Sequence, residues 1–239
     1  MEAEMNNPLQ GPGAGRRFLV GLFVLFQAYL LFVRRHDTLD LDVGPNTEPT
    51  ENIYQDNRIG QTFVARRNNL ARIDVAMGTH ARINDKAVFF RLWEEKPERL
   101  LLRETVFSAA DVKNNLFHPV IFRSVRGSLG RKYYFVFSSA ESTNDNSICV
   151  WMNRHDIYPD GEYYFRHQPR GGDLMFRVYS RQTVAGEMGR LTRKYGGVLG
   201  SRIIFAAAAI FFEVSLTVLF SRFIGLIWRT RPVGGRERQ

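Results

Sequence analysis

Two long apolar runs bracket a polar middle, and that layout leaves a chain few ways to fold. The first run covers residues 18–33 (FLVGLFVLFQAYLLFV), fenced by Arg16-Arg17 and Arg34-Arg35. The second covers 203–220 (IIFAAAAIFFEVSLTVLF) and continues past Ser221-Arg222 into an apolar patch at 223–228. At a rise of roughly 1.5 Å per residue they span about 24 and 27 Å. Flanking arginine stems extend each toward the roughly 30 Å of a bilayer core. A cleaved signal peptide ends in a small-residue site, whereas Arg34-Arg35-His36-Asp37 follows the first run. Arg16-Arg17-Phe18-Leu19 also displaces the phenylalanine of a twin-arginine signal by one position. An uncleaved anchor is expected. The length of the second run and its four alanines, Ala206 to Ala209, disfavour a buried core helix.

The expected plan is a cytoplasmic segment 1–17, a membrane helix 18–33, a linker 34–52, an ectodomain 53–181, a juxtamembrane connector 182–202, a second membrane helix 203–228 and a basic cytoplasmic tail 229–239. Mean hydropathy is −0.25 despite two apolar runs, so the middle must be strongly polar. A formal charge of +9 would suit nucleic acid, but the arginines flank the apolar runs or lie scattered, with no basic recognition helix. Anionic lipid headgroups are the expected partner, at roughly 1 kcal/mol per juxtamembrane cation; nucleic acid is not. Cys149 is the only cysteine, which excludes an intrachain disulfide, and no Asn-x-Ser/Thr sequon occurs. Both traits point to a bacterial inner-membrane protein rather than an animal cell-surface one. Arg229, Arg231, Arg236 and Arg238 against Glu237 in the tail favour both termini inside and the middle exported to the periplasm.

The middle has strand composition. Segments 60–65, 70–77, 87–93, 100–107, 117–122, 132–138, 147–152, 162–165 and 173–179 are β-rich and separated by Gly, Asn, Asp and Pro. Leu70, Arg72 and Asp74 are expected to oppose Ala71, Ile73, Val75 and Met77, and Leu174, Phe176 and Val178 to oppose Met175, Arg177 and Tyr179. About nine short strands on this scale make an antiparallel β-sandwich of jelly-roll type. The acidic stretch 37–52 (DTLDLDVGPNTEPTEN) has no helical period and is expected to be a linker.

Gln61-Thr62-Phe63, Asn69-Leu70-Ala71-Arg72-Ile73, Val88-Phe89-Phe90-Arg91-Leu92, Phe122-x-Ser124, Gly130-x-Lys132-Tyr133-Tyr134-Phe135 and Gly172-Asp173-Leu174-x-Phe176-Arg177-Val178-Tyr179 together resemble the β-sandwich ectodomains of bacterial membrane proteins associated with glycosyltransferases and polysaccharide assembly. The resemblance covers about residues 53 to 180 and implies a carbohydrate-binding-module-like jelly roll, with a glycan or glycolipid ligand and a membrane glycosyltransferase or other membrane protein as partner. No transferase domain accompanies it in the sequence.

No catalytic constellation emerges, so no enzyme, metal or cofactor is expected. The five histidines are dispersed. Glu94 and Glu95 would alternate across a strand rather than act together. Cys149 alternates with Ile148 and Val150 as a buried, inert thiol would. Walker, nucleophile-elbow and H-E-x-x-H motifs are lacking. The candidate ligand contacts are aromatic and polar: Trp93, Trp151, Tyr158, Tyr163 and Tyr164, with Arg166 and His167 on the hairpin 160–170, while Tyr133-Tyr134-Phe135 is expected to be core. In the second span Glu213 stands out, because a mid-membrane acid costs at least about 2.5 kcal/mol. Ala206, Ala209, Glu213 and Thr217 form one small, polar stripe at helical spacing. With Gln27 at similar depth in the first span, these residues are expected to meet a membrane partner. The expected role is accessory or carbohydrate recognition in envelope polysaccharide or glycolipid work; a scaffold that holds a membrane enzyme complex together is the alternative.

Overall fold

The computed structural model describes residues 14–94, 100–195 and 202–229. The chain divides into a β unit, His36–Gln182, and a helical unit made by the flanking stretches.

The β unit follows period-2 patterning closely. Its strands are β1 (Arg35–Val43), β2 (Glu48–Pro49), β3 (Ile59–Val64), β4 (Leu70–Gly78), β5 (Ala87–Glu94), β6 (Leu100–Ser108), β7 (Leu116–Val125), β8 (Lys132–Ser138), β9 (Cys149–Asn153), β10 (Glu162–Phe165), β11 (Gln168–Arg170), β12 (Asp173–Leu174) and β13 (Phe176–Thr183). Two antiparallel sheets result. One runs β11-β10-β3-β8-β5-β6, the other β1-β13-β4-β9-β12, with β7 on β4 and β2 on β9. Leu70, Ile73 and Val75 pair with both β13 and β7, so those strands flank β4 on opposite sides.

Alternate residues of both sheets meet in one core. Val88, Phe90 and Leu92 of β5, Tyr133, Phe135 and Phe137 of β8, and Phe176 and Val178 of β13 all belong to it. Phe176 lies edge-on to Phe63 at 6.0 Å and to Phe135 at 5.3 Å, the offset geometry that aromatic quadrupoles favour. The expected inward face of Leu174, Phe176 and Val178 is observed.

Two expectations change. The stretch 34–52 is not a plain linker, because it supplies β1 and β2. Leu41 and Val43 enter the core, and each acid of β1 meets a basic residue far along the chain. Asp37 takes the Arg181 guanidinium at 2.9 Å, Asp42 that of Arg177 at 3.0 Å, and Asp40 the Arg66 backbone N–H at 3.0 Å. The acids that made the segment resemble a solvated linker neutralise the basic strands beside it. Leu70, expected on the face of Arg72 and Asp74, joins Ile73, Val75 and Met77 in the core. A bulge between Leu70 and Arg72 flips the alternation there. Arg72 and Asp74 remain together outside it, bonded at 2.5 Å with the Arg72 guanidinium over Tyr179.

The helical unit contains α1 (Ala14–Ala28), which continues as a π turn over Tyr29–Val33, α2 (Val184–Tyr195) and α3 (Arg202–Arg229). Gly15–Val33 and Ile210–Ile227 are long and apolar enough to cross a membrane. α1 and α3 lie antiparallel: Arg16 donates to Ser221 Oγ at 2.9 Å, Phe23 stacks on Phe220 at 4.0 Å, and Thr217 donates to Gln27 Oε1 at 3.3 Å. The expected connector 182–202 opens with the last residues of β13 and then the helix α2.

Candidate functional site

The outward face of the six-stranded sheet carries two of the sequence-predicted ligand residues, Trp93 and Tyr164. Neighbouring strands place side chains in rows across it. One row is Glu162, Thr62, Tyr134, Trp93, Leu101; the next is Tyr164, Gly60, Val136, Arg91, Glu104. Trp93 alternates with core residues Leu92 and Phe90, so its indole faces out, half-buried. Tyr164 lies edge-on to Tyr134 at 5.4 Å. Gly60 lets these rings lie low over the sheet: a Cβ there would fall 2.5 Å from Tyr134 Oη and 2.7 Å from the Phe135 carbonyl oxygen. Tyr164 donates to Glu162 at 2.6 Å, and burial together with that bond pushes its phenol up to about 12.

The adjoining β10–β11 hairpin brings Arg166 and His167. Both have positive φ, 48° and 66°, as a two-residue turn between paired strands demands. The Arg166 Nε donates to the buried Asn57 at 2.7 Å, and Arg58 Nη1 donates to His167 Nε2 at 3.0 Å. Arg166 and Arg170 flank the Phe165 ring at 5.4 and 5.8 Å. The tip is therefore cationic beside an aromatic row, an arrangement able to stack a flat apolar face and donate to its polar edge.

Three predicted residues lie elsewhere. Tyr163, next to Tyr164, points into the core and donates to Glu51 at 2.6 Å; burial drives its phenol far upward. Trp151 belongs to β9 in the other sheet, and its indole N–H donates to Asn115 at 3.1 Å. Tyr158 packs in the core edge-on to Phe176 and accepts from the Val64 N–H at 3.0 Å. Conversely, Tyr134, expected in the core, is buried on the outward face beneath Tyr164. The alternation of Tyr134 with Tyr133 and Phe135 was the available signal for this. Gly60 and Arg58 carried none.

Cys149 is buried, with its thiol pushed up by desolvation. Glu95 lies outside the described residues. Among the described residues no group of three His, Cys, Asp or Glu is placed to hold a metal.

In the helical unit, Gln27, Glu213 and Thr217 line one cavity of about 440 Å³ with Val24, Ala28, Leu31, Phe32, Val214 and Val218. Gln27 is 8% exposed, and while its Oε1 accepts from Thr217, its Nε2 has no partner among the described residues. The side chains of Ala206 and Ala209 lie outside the described residues. Compared with known proteins, the chain matches no family model and no curated protein sequence.

Proposed function

We propose that this chain is a non-enzymatic, two-span bacterial inner-membrane protein whose jelly-roll-like, carbohydrate-binding-module-like sandwich faces the periplasm. In this reading it acts as an accessory or carbohydrate-recognition subunit in envelope polysaccharide or glycolipid assembly, with both termini cytoplasmic. The observation that carries the reading is the outward pair Tyr164 and Trp93, in neighbouring rows about the buried Tyr134 ring, beside the Arg58–His167 pair. Sugar rings present an apolar face and a hydroxylated edge, which this combination of ring and donor suits. The test is a glycan array probed with the full chain in nanodiscs. Binding that falls at least tenfold in both Tyr164→Ala and Trp93→Ala supports the reading; glycan binding unchanged in both, or none at all, refutes it.

The cavity between α1 and α3 favours a second reading, a scaffold that holds a membrane enzyme such as a glycosyltransferase. Among the described residues Gln27 Nε2 lacks a partner and Glu213 lines the same wall, and polar groups in hydrocarbon seek partners. Under this reading Glu213→Leu inserts normally but loses co-purifying membrane proteins. Undiminished co-purification makes Glu213 a tolerated acid.

A further inference from the structure

The helix α2 has two unlike faces. Val184, Met188 and Leu191 recur at i, i+4 and i+7 and so share one narrow stripe. At 3.6 residues per turn, Arg190 and Arg193 lie about 130° and 170° from the middle of that stripe. Val184 and Leu191 are 37% and 40% exposed. Glu187, the one acid of the helix, sits 3.4 Å from Arg190, which leaves the helix net basic. Its position is equally telling. α2 packs against the Tyr29–Val33 turn that ends the first apolar helix, and against α3. In sequence, the apolar run of α3 begins eight residues after α2 ends. With α1 and α3 crossing a bilayer, α2 stands beyond the N-terminal end of the Ile210–Ile227 span, on the side where hydrocarbon gives way to headgroups.

We propose that α2 is an interfacial helix that binds anionic phospholipid headgroups. Val184, Met188 and Leu191 dip into the acyl boundary while Arg190 and Arg193 hold phosphate oxygens. An amphipathic helix of this charge lies in the interface plane with its apolar face about 5–10 Å deep. A protein partner could cover the apolar stripe, but a lipid surface also meets the basic flank, and the helix already stands where that surface begins. The proposal rests on α1 and α3 crossing a bilayer and is independent of any sugar.

The full chain, reconstituted in vesicles, tests this. Single cysteines Leu191→Cys, Arg193→Cys and Leu219→Cys each receive an environment-sensitive fluorophore; Cys149 is buried, and the unsubstituted chain serves as the blank. Vesicles are neutral phosphatidylcholine or a mixture with phosphatidylglycerol, each with brominated acyl chains as quencher. In anionic vesicles the Leu191 probe should be quenched at least twice as strongly as the Arg193 probe. That contrast should shrink in neutral vesicles. Each cation contributes about fivefold to such partitioning, so Arg190→Gln with Arg193→Gln should lower docking of the Leu191 probe about thirtyfold. A Leu191 probe quenched by aqueous iodide and not by lipid overturns the proposal. So does lipid quenching that ignores both headgroup charge and the double substitution. The Leu219 probe on α3 separates the causes: without lipid quenching there, the membrane spans themselves are refuted, and the interfacial helix with them.

Discussion

Removing residues 36–52 should cost the β unit much of its stability, although the sequence presents that stretch as a linker. The comparison is between two soluble pieces, 36–182 and 53–182. The shorter piece loses Leu41 and Val43, which are 5% and 3% exposed. Burial of such side chains is worth about 1.5–3 kcal/mol each, hence about 3–6 kcal/mol together. The exposed pair of Asp42 with Arg177 adds little, and the part-buried pair of Asp37 with Arg181 adds a further contribution. The cut also strips Thr50 from the Val150 N–H, which it meets at 3.1 Å, and uncovers the edge of β9 at Trp151 and Met152. Against a typical stability of about 5–15 kcal/mol this is a large share. At about 3 °C per kcal/mol for a chain of this size, the melting midpoint should fall by about 10–20 °C. Far-ultraviolet circular dichroism of both pieces on heating gives the answer. Piece 36–182 should show a β spectrum and one cooperative transition, and piece 53–182 should melt early or not fold. Equal midpoints, within about 3 °C, would show that β1 adds nothing to the core; a helical spectrum from 36–182 would refute the two-sheet fold.

Four further outcomes are expected. Phe176→Ala empties the centre of the aromatic cluster and should destabilise piece 36–182 by about 3–5 kcal/mol in urea; a loss under about 1 kcal/mol would contradict its place between the sheets. Gly60→Ala sets a Cβ against Tyr134 and the Phe135 carbonyl and should cost about 1–3 kcal/mol, with altered near-ultraviolet dichroism, whereas a neutral result would mean the Tyr134 ring does not lie over Gly60. The neutral Tyr164 phenol is favoured in the folded state, so its contribution is fully present below pH 10 and lost as pH rises through about 12; a 295 nm titration of Tyr164→Phe should lack one late-titrating phenol, and loss of an ordinary one would refute the Glu162 bond. Alkaline phosphatase fused after Gln182 should be active and after Gln239 inactive; the opposite pair reverses the topology.

Much of the sheet architecture was legible because strands announce themselves locally. Eight of the expected segments each overlap one observed strand, while 173–179 spans β12 and β13; the parity of Phe176 and Val178 was enough to orient β13. What failed was long-range or irregular. Asp37 and Asp42 of β1 find their partners more than a hundred residues away, at Arg181 and Arg177, so composition alone made them look solvated. A bulge at Leu70 shifts the phase by one residue, and nothing in Leu70-Ala71-Arg72 marks it. α2 was hidden by its two glycines and short length, though its Val184, Met188, Leu191 spacing was present in the sequence.

The candidate site was legible in kind more than in position, for a reason specific to sheets. Adjacent residues on a strand face opposite ways, so Tyr163 and Tyr164, indistinguishable in composition, part company completely. Tyr163 turns inward, where Glu51, over a hundred residues earlier, accepts its hydroxyl; Tyr164 turns outward onto Tyr134. Trp93 and Trp151 have equivalent strand contexts, yet only the pairing of β5 with β8 puts Trp93 beside Tyr134, while β9 carries Trp151 to the opposite sheet. The outward aromatic surface therefore depends on strand order, which no local pattern encodes, and on Gly60, whose missing side chain makes the room that the rings occupy. The helix pair behaves differently. There the sequence places Gln27 and Glu213 near the middle of two apolar runs, and in the antiparallel helix pair both line one cavity, with Gln27 bonded to Thr217.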